Sequence, residues 1–418
     1  MSIKKLQGNR ALTKKLRRNA VAYPFCDAMK RGVMTTAMEH DEELALRRRF
    51  LARAKRVVIK VGSAVLTTGE GLNLPVLDNL AKEICALRKS GRQVILVSSG
   101  AVAAGRRKMG LGDRTLTLRE KQAAAAIGQS SLMRSYEKIF EQLGQKVAQV
   151  LLTHDALSHR DRYLNVRNTL FTLLDWGLVP IINENDTVSV EELRFGDNDA
   201  LGAMVTNLTE ADIFVCLTDV SGLFSANPLT HPEARPIHTV AKIDAAVQAM
   251  VGTMQSGVGT GGMGSKIKAA KMVAARGGCC FIGPGREPDT ISRLFAGELI
   301  GTFFLPQAEK MASRKHWIAY TLRPQGCLVL DAGACKAVLQ GGKSLLPSGI
   351  LEVRGKFGIG APVHCLNEQG EPLAAGLVNY TSGDLEKIKG VKTSRIEEVL
   401  ERPKDSDEVI HRDNLVIL

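Results

Sequence analysis

A glycine-rich run in the second half of the chain ends in a single lysine. It reads Ser256-Gly-Val-Gly-Thr-Gly-Gly-Met-Gly-Ser-Lys266, and an apolar stretch typical of a helix follows directly. Glycines let backbone N–H groups approach an anion closely, a helix start adds the positive end of its dipole, and a lysine adds a full charge. The run therefore predicts a phosphate-binding loop, although a flexible linker between helices has the same composition. It is not a Walker A loop, because Ser265 precedes Lys266 where that motif needs Gly-Lys-Ser/Thr.

Two further glycine turns follow predicted strands. Lys60 lies near the end of the apolar run 56–61, which breaks into Gly62, and the strand predicted at 93–98 stops at Ser98-Ser-Gly100 before small residues that favour a helix. In an open parallel sheet, ligands bind at the carboxyl ends of the strands. One such turn alone is how any parallel sheet changes direction. Two of them together with the glycine-rich loop indicate one phosphate-binding edge.

Carboxylates and amides also cluster at predicted strand ends and helix starts. The clusters are Asn183-Glu-Asn-Asp186, Gly196-Asp-Asn-Asp199 and Thr218-Asp219. Such groups can bind a substrate ammonium group, hold Mg²⁺ through water or orient lysines. Asx turns and N-caps are the alternative, and for Asp199 capping alone is a sufficient reason.

The elements that must position these residues alternate along the chain. Short apolar runs alternate with longer helical ones from residue 55, which predicts an α/β fold with an open, mainly parallel sheet and helices on both faces. The predicted strands are 56–61, 93–98, 146–152, 178–182, 212–217 and 279–282. The predicted helices lie near 75–90, 118–143, 160–176, 199–208, 241–250 and 265–277.

Length and composition set the domain organisation. With 418 residues and 44% apolar content, the chain is expected to be a soluble protein of two domains without a membrane span. We expect a large α/β domain at 55–305, a linker at 306–315, a small β-rich barrel at 316–395 and a C-terminal tail at 396–418. Gly- and Pro-separated short strands predict the barrel.

Charge and cysteine content exclude several classes. Residues 1–54 carry 13 Lys/Arg against 5 Asp/Glu, so most of the net charge of +13 comes from an N-terminal extension that we expect to be disordered or dispensable. An organelle-targeting arm or a later start site are the alternatives for it. Eight cysteines without CxxC spacing predict buried, reduced thiols in a cytosolic protein, and the scattered histidines argue against a zinc site.

Taken in order, the motifs resemble the amino-acid kinase family. They are Lys60-Val-Gly-Ser63, Ser98-Ser-Gly-Ala101, Asn183-Glu-Asn-Asp186, Gly196-Asp-Asn-Asp199, Leu217-Thr-Asp219 and Gly259-Thr-Gly-Gly-Met-Gly-Ser-Lys266. The resemblance covers roughly 55–305, and the tail at about 315–390 is similar to a PUA domain. One departure is Gly264-Ser265, where Ser-Thr is expected, but the hydroxyl beside Lys266 is kept.

The resemblance implies an activity and a role for each motif. It implies ATP-dependent phosphorylation of the γ-carboxylate of L-glutamate, which gives γ-glutamyl phosphate in the first step of proline biosynthesis, with Mg²⁺ as cofactor. By motif match, Lys60 and Lys266 contact the transferring phosphoryl group and Asp199 holds both lysines. The implied glutamate-binding residues are Ser99, Asp186 and Asn198. The implied ATP-binding residues are Lys60, Thr218, Asp219, Thr260, Gly261, Gly262, Met263, Gly264, Ser265 and Lys266; the ligands of a metal are left unassigned.

The resemblance also implies partners. They are proline as feedback inhibitor, a homo-oligomer (dimer or tetramer) and hand-off of the product to the glutamyl phosphate reductase, in a cytoplasmic protein. Another carboxylate, carbamate or a nucleoside monophosphate are alternative acceptors, although Arg194 is the only arginine between the two acidic motifs. An RNA-binding protein is the alternative from another class. Against it, residues 315–418 hold 13 Lys/Arg and 13 Asp/Glu, so RNA binding by the PUA-like domain stays unproven.

Overall fold

The computed structural model of the protein describes residues 37–418 except 70, 113, 189–197, 229, 253–261, 308–310 and 405. Its helices, in chain order, are α1 (Ala37–Arg53), α2 (Ser63–Leu66), α3 (Leu74–Lys89), α4 (Ala101–Lys108), α5 (Leu118–Gln142), α6 (His154–Ser158), α7 (Arg160–Asp175), α8 (Asn198–Leu208), α9 (Ala245–Gly252), α10 (Met263–Ala275), α11 (Thr290–Ala296), α12 (Ser313–Tyr320), α13 (Ala332–Gly341), α14 (Ser382–Ile388) and α15 (Ile396–Leu400). Short 3₁₀ turns occupy Pro347–Gly349, Thr393–Arg395 and Arg412–Asn414.

An eight-stranded sheet forms the centre of the larger domain. Its strands are β1 (Arg56–Val61), β4 (Gln93–Val97), β5 (Val147–Leu152), β6 (Val179–Glu184), β7 (Ile213–Thr218), β10 (Thr239–Val240), β11 (Cys279–Pro284) and β12 (Thr302–Phe304). Their order is β10-β12-β11-β7-β1-β4-β6-β5, and every pair is parallel except β11 with β12. Six strands therefore run in the same direction and have their carboxyl ends at one edge, where the sequence places its glycine turns; they are β5, β6, β4, β1, β7 and β11.

Helices cover both faces of this sheet. On one face, residues such as Leu80 of α3 and Phe140 of α5 pack against Val57 and Ile59. The opposite face carries α7, α8 and α10, whose apolar residues join the second hydrophobic core cluster with Val58. The predicted fold class is confirmed, and the six predicted strands and six predicted helices of this domain all occur within a few residues of their expected bounds.

A second, smaller sheet lies in the C-terminal part of the chain. It contains β13 (Gly326–Leu330), β14 (Ile350–Gly355), β15 (Pro362–Leu366), β16 (Pro372–Leu377) and β17 (Leu415–Ile417), in the order β14-β13-β15-β16-β17. Short two-residue strands elsewhere complete the set: β2 (Thr67–Thr68), β3 (Gly71–Leu72), β8 (Leu223–Phe224) and β9 (Pro236–Ile237). The predicted strand-rich second domain is confirmed.

The domain limits stay predictions, and residues near both ends of the described chain pack against the two domains. Residues 396–418 were expected as a tail, but β17 pairs with β16, and Val409 and Ile410 are buried in the core of the small domain. Within the predicted N-terminal extension, residues 1–36 lie outside the described part. Arg47 and Leu51 near the end of α1 are buried, and Arg47 donates to backbone carbonyls of the large domain, including Glu298 at 2.9 Å.

Helix α12 contacts both helix α10 of the large domain and the second sheet. Ile318 packs against the second sheet, whereas His316 contacts α10: its ring nitrogen Nε2 lies 2.9 Å from the carbonyl oxygen of Met272. Because a carbonyl oxygen can only accept a hydrogen bond, Nε2 of the neutral ring carries the proton and donates a hydrogen bond to the carbonyl oxygen of Met272. No helix within the described ranges is both long and apolar enough for a membrane span.

Candidate active site

Lys60 owes its position to the alternation of side chains along β1. Val57 and Ile59 point into the core on one face of the sheet, and Val58 points to the other. Since successive side chains of a strand point to opposite faces, Lys60 shares the face of Val58, which α8 and α10 cover. The sequence begins α8 with Asn198-Asp199 and places Lys266 in the first turn of α10. Three charged residues from three elements therefore meet at one edge of the sheet.

These three residues form a buried charge triad. Nζ of Lys60 lies 2.5 Å from Oδ1 of Asp199, and Nζ of Lys266 lies 3.2 Å from Oδ2 of the same carboxylate. Asp199 is fully buried, and each lysine is 5% exposed. Among the described residues, two lysines share one carboxylate in this triad, and their ammonium groups can attract an anionic group that approaches from solvent.

The pKa of Asp199 reflects this environment. Burial disfavours the charged carboxylate, but the ammonium groups of Lys60 and Lys266 and a hydrogen bond from Ser265 outweigh burial and lower the pKa to about 2. The Ser265 hydroxyl lies 2.7 Å from Oδ2, so the hydroxyl that the sequence keeps beside Lys266 faces this carboxylate. Asp199 is therefore ionised at neutral pH and fixes both lysines.

Two residues that the sequence analysis missed complete the setting of Asp199. The thiol of Cys216, in β7, lies 3.4 Å from Oδ1, and burial together with the charge of Asp199 raises its pKa to about 12, so it stays a donor. Gly202 in α8 faces the sheet, where a Cβ atom would lie 2.5 Å from the ring of Phe214 and 3.3 Å from Cβ of Lys60. The absence of a side chain at Gly202 therefore lets α8 lie close enough for Asp199 to reach Lys60.

The turn after β4 is held by a close helix pair. Gly100 has φ +97°, a left-handed conformation that favours glycine, and it precedes α4. A Cβ atom on Gly105 of α4 would overlap the carbonyl oxygen of Ala124 in α5, so the two helices cross at backbone contact. From α5, the hydroxyl of Tyr136 lies 2.9 Å from Oγ of Ser98. This packing fixes the Ser98-Ser99 turn against the sheet.

A network of amides connects that turn to β6 and α8. Nδ2 of Asn198 lies 2.7 Å from the carbonyl oxygen of Ser98, 2.8 Å from Oγ of Ser99 and 3.0 Å from Oδ1 of Asn183, so its two hydrogens are shared among three acceptors. Nδ2 of Asn183 donates in turn to Oε1 of Gln129 at 2.8 Å. Because Asn198 directly precedes Asp199, the network ends at the charge triad.

A cavity of about 270 Å³ lies beside this network. Its walls include Asp186, Glu184, Gln129 and Ser130. Carboxylates on one wall and amide and hydroxyl groups on another suit a small molecule that carries an ammonium group together with hydrogen-bonding groups. Asp186, predicted as an acceptor-binding residue, therefore lines a real concavity.

The residues predicted to bind a nucleotide lie around the start of α10 and the end of β7. Helix α10 begins at Met263 with Gly262 as its N-cap, and Oγ1 of Thr218 donates to Oδ1 of Asp219 at 3.0 Å. The Thr218 side chain is buried and Asp219 is exposed. Helix N-termini offer free N–H groups and positive dipole ends to phosphates. The predicted residues Thr260 and Gly261 lie outside the described residues.

Comparison with known families decides the class of the larger domain. Residues 55–282 match the Amino acid kinase family, and residues 326–400 match the PUA domain. The chain belongs to the amino acid kinase family. Both predicted family resemblances are confirmed.

Relatives within the amino acid kinase family are similar over almost the whole chain. Glutamate 5-kinase of Desulfotalea psychrophila is 59% identical over 376 residues, which are 90% of this chain and 100% of that protein. Glutamate 5-kinase of Geobacter sulfurreducens is 51% identical over 374 residues, 89% of this chain and 100% of that protein. The same-named protein of Syntrophus aciditrophicus is 50% identical over 372 residues, 89% of this chain and 96% of that protein. These relatives place the chain among the glutamate 5-kinases of the family.

Within this amino acid kinase domain, the structure brings together most residues that the sequence singles out. Lys60, Lys266 and Asp199 are in direct contact, and Ser99 and Asn198 share a hydrogen bond. The part of the glycine-rich run before Gly262 lies outside the described residues. Gln129, Cys216 and Gly202 carry no motif in a single sequence, and only their contacts identify them.

Proposed function

We propose that this chain transfers the terminal phosphoryl group of ATP to the γ-carboxylate of L-glutamate, which gives ADP and γ-glutamyl phosphate, the first step of proline biosynthesis. The observation that carries the proposal is the pair of buried ammonium groups, Lys60 and Lys266, on either side of Asp199. Glutamate as the acceptor is supported by the relatives named glutamate 5-kinase, which match about nine-tenths of the chain.

The nucleophile of this reaction needs no general base. A glutamate side chain has a reference pKa of about 4.3, so its carboxylate is already ionised at neutral pH. A carboxylate oxygen attacks the terminal phosphorus, the bond to the leaving ADP oxygen breaks, and no proton has to move. The barrier arises because two anions must approach each other, and its remedy is fixed positive charge.

Lys60 and Lys266 supply that charge in our proposal. Their ammonium groups donate to oxygens of the transferring phosphoryl group, where negative charge has to be spread as the bonds change. Asp199 is a positioning residue, since it contacts both lysines and has no part in bond making. Because the triad is buried and pre-formed, the lysines need little reorganisation as the reaction proceeds.

The acceptor and the nucleotide approach the triad from two sides in this proposal. Ser99, Asp186 and Asn198 bind glutamate, with Asp186 facing its ammonium group. The start of α10 receives the phosphates through its free N–H groups and dipole. The nucleotide-binding residues are those of the sequence prediction: Lys60, Thr218, Asp219, Thr260, Gly261, Gly262, Met263, Gly264, Ser265 and Lys266.

Magnesium fits this site as part of the nucleotide. Among the described residues, no three His, Cys, Asp or Glu side chains are grouped as a metal site. Mg²⁺ commonly keeps several waters and binds substrate phosphates with one or two carboxylates, so the donor set agrees with a metal held mainly by ATP. When bound, Mg²⁺ neutralises charge on the phosphates. Asp219, exposed at the end of β7, is the carboxylate that we assign to its hydration shell.

Feedback by proline, a homo-oligomeric state and hand-off of γ-glutamyl phosphate to its reductase belong to the same proposal. Their support is the position of the reaction at the start of a biosynthetic pathway and the reactivity of an acyl phosphate in water. A dimer or tetramer is the expected state.

The proposal is tested by ADP release from the purified chain with Mg-ATP, with hydroxylamine present to trap an acyl phosphate. L-Glutamate should give ADP and hydroxamate in equal amounts. L-Aspartate, N-acetyl-L-glutamate and UMP should give neither. Activity with one of these alone would move the substrate assignment within the family, and inactivity of folded protein with all four would refute the proposal.

A further inference from the structure

Gln129 is the one member of the amide network whose nitrogen has no hydrogen-bond partner among the described residues. The residue lies on α5, is half-buried and lines the 270 Å³ cavity. Its amide oxygen is already used, since it accepts from Nδ2 of Asn183 at 2.8 Å. The remaining –NH₂ group therefore has two hydrogens to offer to whatever enters the cavity.

The orientation of this amide follows from backbone partners that leave no choice. The backbone N–H of Glu184 can only donate, so the Asn183 atom that lies 2.9 Å from it must be the oxygen Oδ1. Nδ2 of Asn183 is then the atom that faces Gln129, and the Gln129 atom that receives its hydrogen must be Oε1. Hence Nε2 of Gln129 points away from Asn183.

The same reasoning fixes the other end of the network. The carbonyl oxygen of Ser98 can only accept, so the Asn198 atom 2.7 Å from it is Nδ2. Asn198 and Gln129 are thus both held by Asn183, one beside the charge triad and the other beside the cavity. The network sets the distance between the reacting end of the site and the cavity wall.

The cavity offers room and complementary charge next to Gln129. Ala125 and Ala126 precede Gln129 by four and three residues on α5, so these small side chains lie on the same helix face and leave space beside the amide. Asp186 and Glu184 line the cavity as well, whereas its described lining includes no lysine, arginine or histidine. An amino-acid acceptor brings an ammonium group, which suits the carboxylates, and a second carboxylate, which needs a donor. Gln129 supplies a neutral donor for it.

We propose that Gln129 is a specificity-determining residue: its amide –NH₂, held in orientation by Asn183, donates to the non-reacting carboxylate of the amino-acid acceptor. This inference rests on the proposed function and adds the residue that binds the non-reacting carboxylate of the acceptor. The reacting carboxylate then lies towards Asn198 and the lysines. A monocarboxylate acceptor of the same length lacks the group that Gln129 binds.

The test compares L-glutamate with its α-amide, L-isoglutamine, as acceptors for the full-length chain. Gln129→Glu is the informative change, because the new carboxylate can still accept from Asn183 but cannot donate and repels an acceptor carboxylate. We expect the KM for L-glutamate to rise about 10-fold to 100-fold, the usual range for one hydrogen bond to a charged group. The preference for L-glutamate over its α-amide should fall by a similar factor, with the KM for ATP unchanged.

Two matched variants separate this contact from a general charge effect. Gln142→Glu makes the same change at an exposed position on the same helix and should leave all constants unchanged. Gln149→Glu adds the same charge to the cavity wall without a bond to Asn183. A loss of preference confined to Gln129→Glu supports the assignment, and equal losses in Gln129→Glu and Gln149→Glu overturn it.

The remaining outcomes are equally decisive. Unchanged KM and acceptor preference in Gln129→Glu would overturn the contact while the wild-type activity upholds the proposed function. A wild-type chain without glutamate-dependent hydroxamate would instead remove the proposed function itself. If Gln129→Glu does not fold, Gln129→Met decides, since loss of the donor lowers the preference for L-glutamate about tenfold, whereas a purely structural role leaves it unchanged.

Discussion

Lys60 and Asp199 are 139 positions apart in the chain, yet Nζ of the lysine lies 2.5 Å from Oδ1 of the aspartate. Lys266 reaches the other oxygen of the same carboxylate from a third element. One buried anion thus sets the spacing of two cations. Catalysis by fixed charge depends on such spacing, because the groups must be in place before the phosphoryl group is transferred.

Removal of either lysine should abolish most of the activity. We expect Lys60→Ala and Lys266→Ala each to lower kcat by at least about 100-fold, which corresponds to about 2.7 kcal/mol of barrier. The reason is that each change removes one of the two cations that face the transferring phosphoryl group. Steady-state kinetics with Mg-ATP and L-glutamate measure the loss.

Lys268→Ala is the matched control for this pair. Lys268 lies on the same helix as Lys266 but is exposed, so its removal should leave kcat unchanged. Near-normal turnover in folded Lys60→Ala or Lys266→Ala would contradict the assigned roles.

Loss of the buried carboxylate should destabilise the fold in a pH-dependent manner. Asp199→Asn removes the negative charge that pairs with two buried ammonium groups, and breaking a buried pair in this way costs about 3–5 kcal/mol. Since the pKa of Asp199 is lowered to about 2, its stabilising charge is complete above the unfolded-state pKa and is lost as the pH falls through the folded value. The difference in unfolding free energy between wild type and Asp199→Asn should therefore narrow from about pH 5 downward.

Chemical denaturation at several pH values measures this difference. A gap that stays constant from pH 7 to pH 3, or no destabilisation at pH 7, would show that Asp199 does not hold the lysines by charge.

A side chain at Gly202 should prevent α8 from packing as closely against the sheet as it does in the wild type. A Cβ atom there would lie 2.5 Å from the ring of Phe214, so Gly202→Ala must displace α8 or the ring. Overpacking of this kind costs about 1–3 kcal/mol, and kcat should fall as well because α8 carries Asp199. Thermal unfolding and kinetics of the same preparation measure both effects.

Gly69→Ala is the control, because nothing lies within 4 Å of a Cβ atom at Gly69. Equal melting temperatures for Gly202→Ala and wild type would contradict the packing argument.

The charge triad could be predicted from the sequence because each of its members ends a strand or begins a helix. Lys60 lies near the end of a buried strand, and Asp199 and Lys266 open helices after acidic or glycine-rich motifs, so rules for parallel sheets bring them to one edge. Gly202 could not be predicted in this way. It lies inside a helix, where a glycine has no local signature, and its role depends on Phe214 in a neighbouring strand.

Buried polar residues outside the motifs were missed for a related reason. Arg47 lies in the basic N-terminal extension that was expected to be disordered or dispensable, yet its guanidinium donates to the carbonyl oxygens of Glu298 and Ile300. Those partners are about 250 positions away, so no local pattern contains them. Helix α12 was likewise not predicted: the polar stretch 306–315 was assigned to the linker, whereas the helix runs through residue 315 and contacts α10 and the second sheet.

His316 of α12 should make the stability of the chain depend on pH in the mildly acidic range. Burial lowers its pKa to about 4; the hydrogen bond to Met272 acts in the opposite direction, and the nearby charge of Arg276 lowers the pKa by a smaller amount. The unfolded chain binds a proton at about pH 6.5. Stability due to the neutral ring is therefore complete above that pH and declines as the pH falls towards 4, by up to about 3 kcal/mol.

His316→Gln isolates this contribution, since a glutamine amide can donate to the carbonyl oxygen of Met272 but does not titrate. The variant should resemble wild type at pH 7.5 and lose less unfolding free energy between pH 6.5 and pH 4.5. His231→Gln, at an exposed position, should retain the wild-type slope. Helix α12 packs against α10, which carries Lys266, and against the sheet of the PUA domain. If the unfolding free energy of His316→Gln depends on pH as steeply as that of wild type, the His316 ring is not a pH-dependent contact between α10 and that sheet.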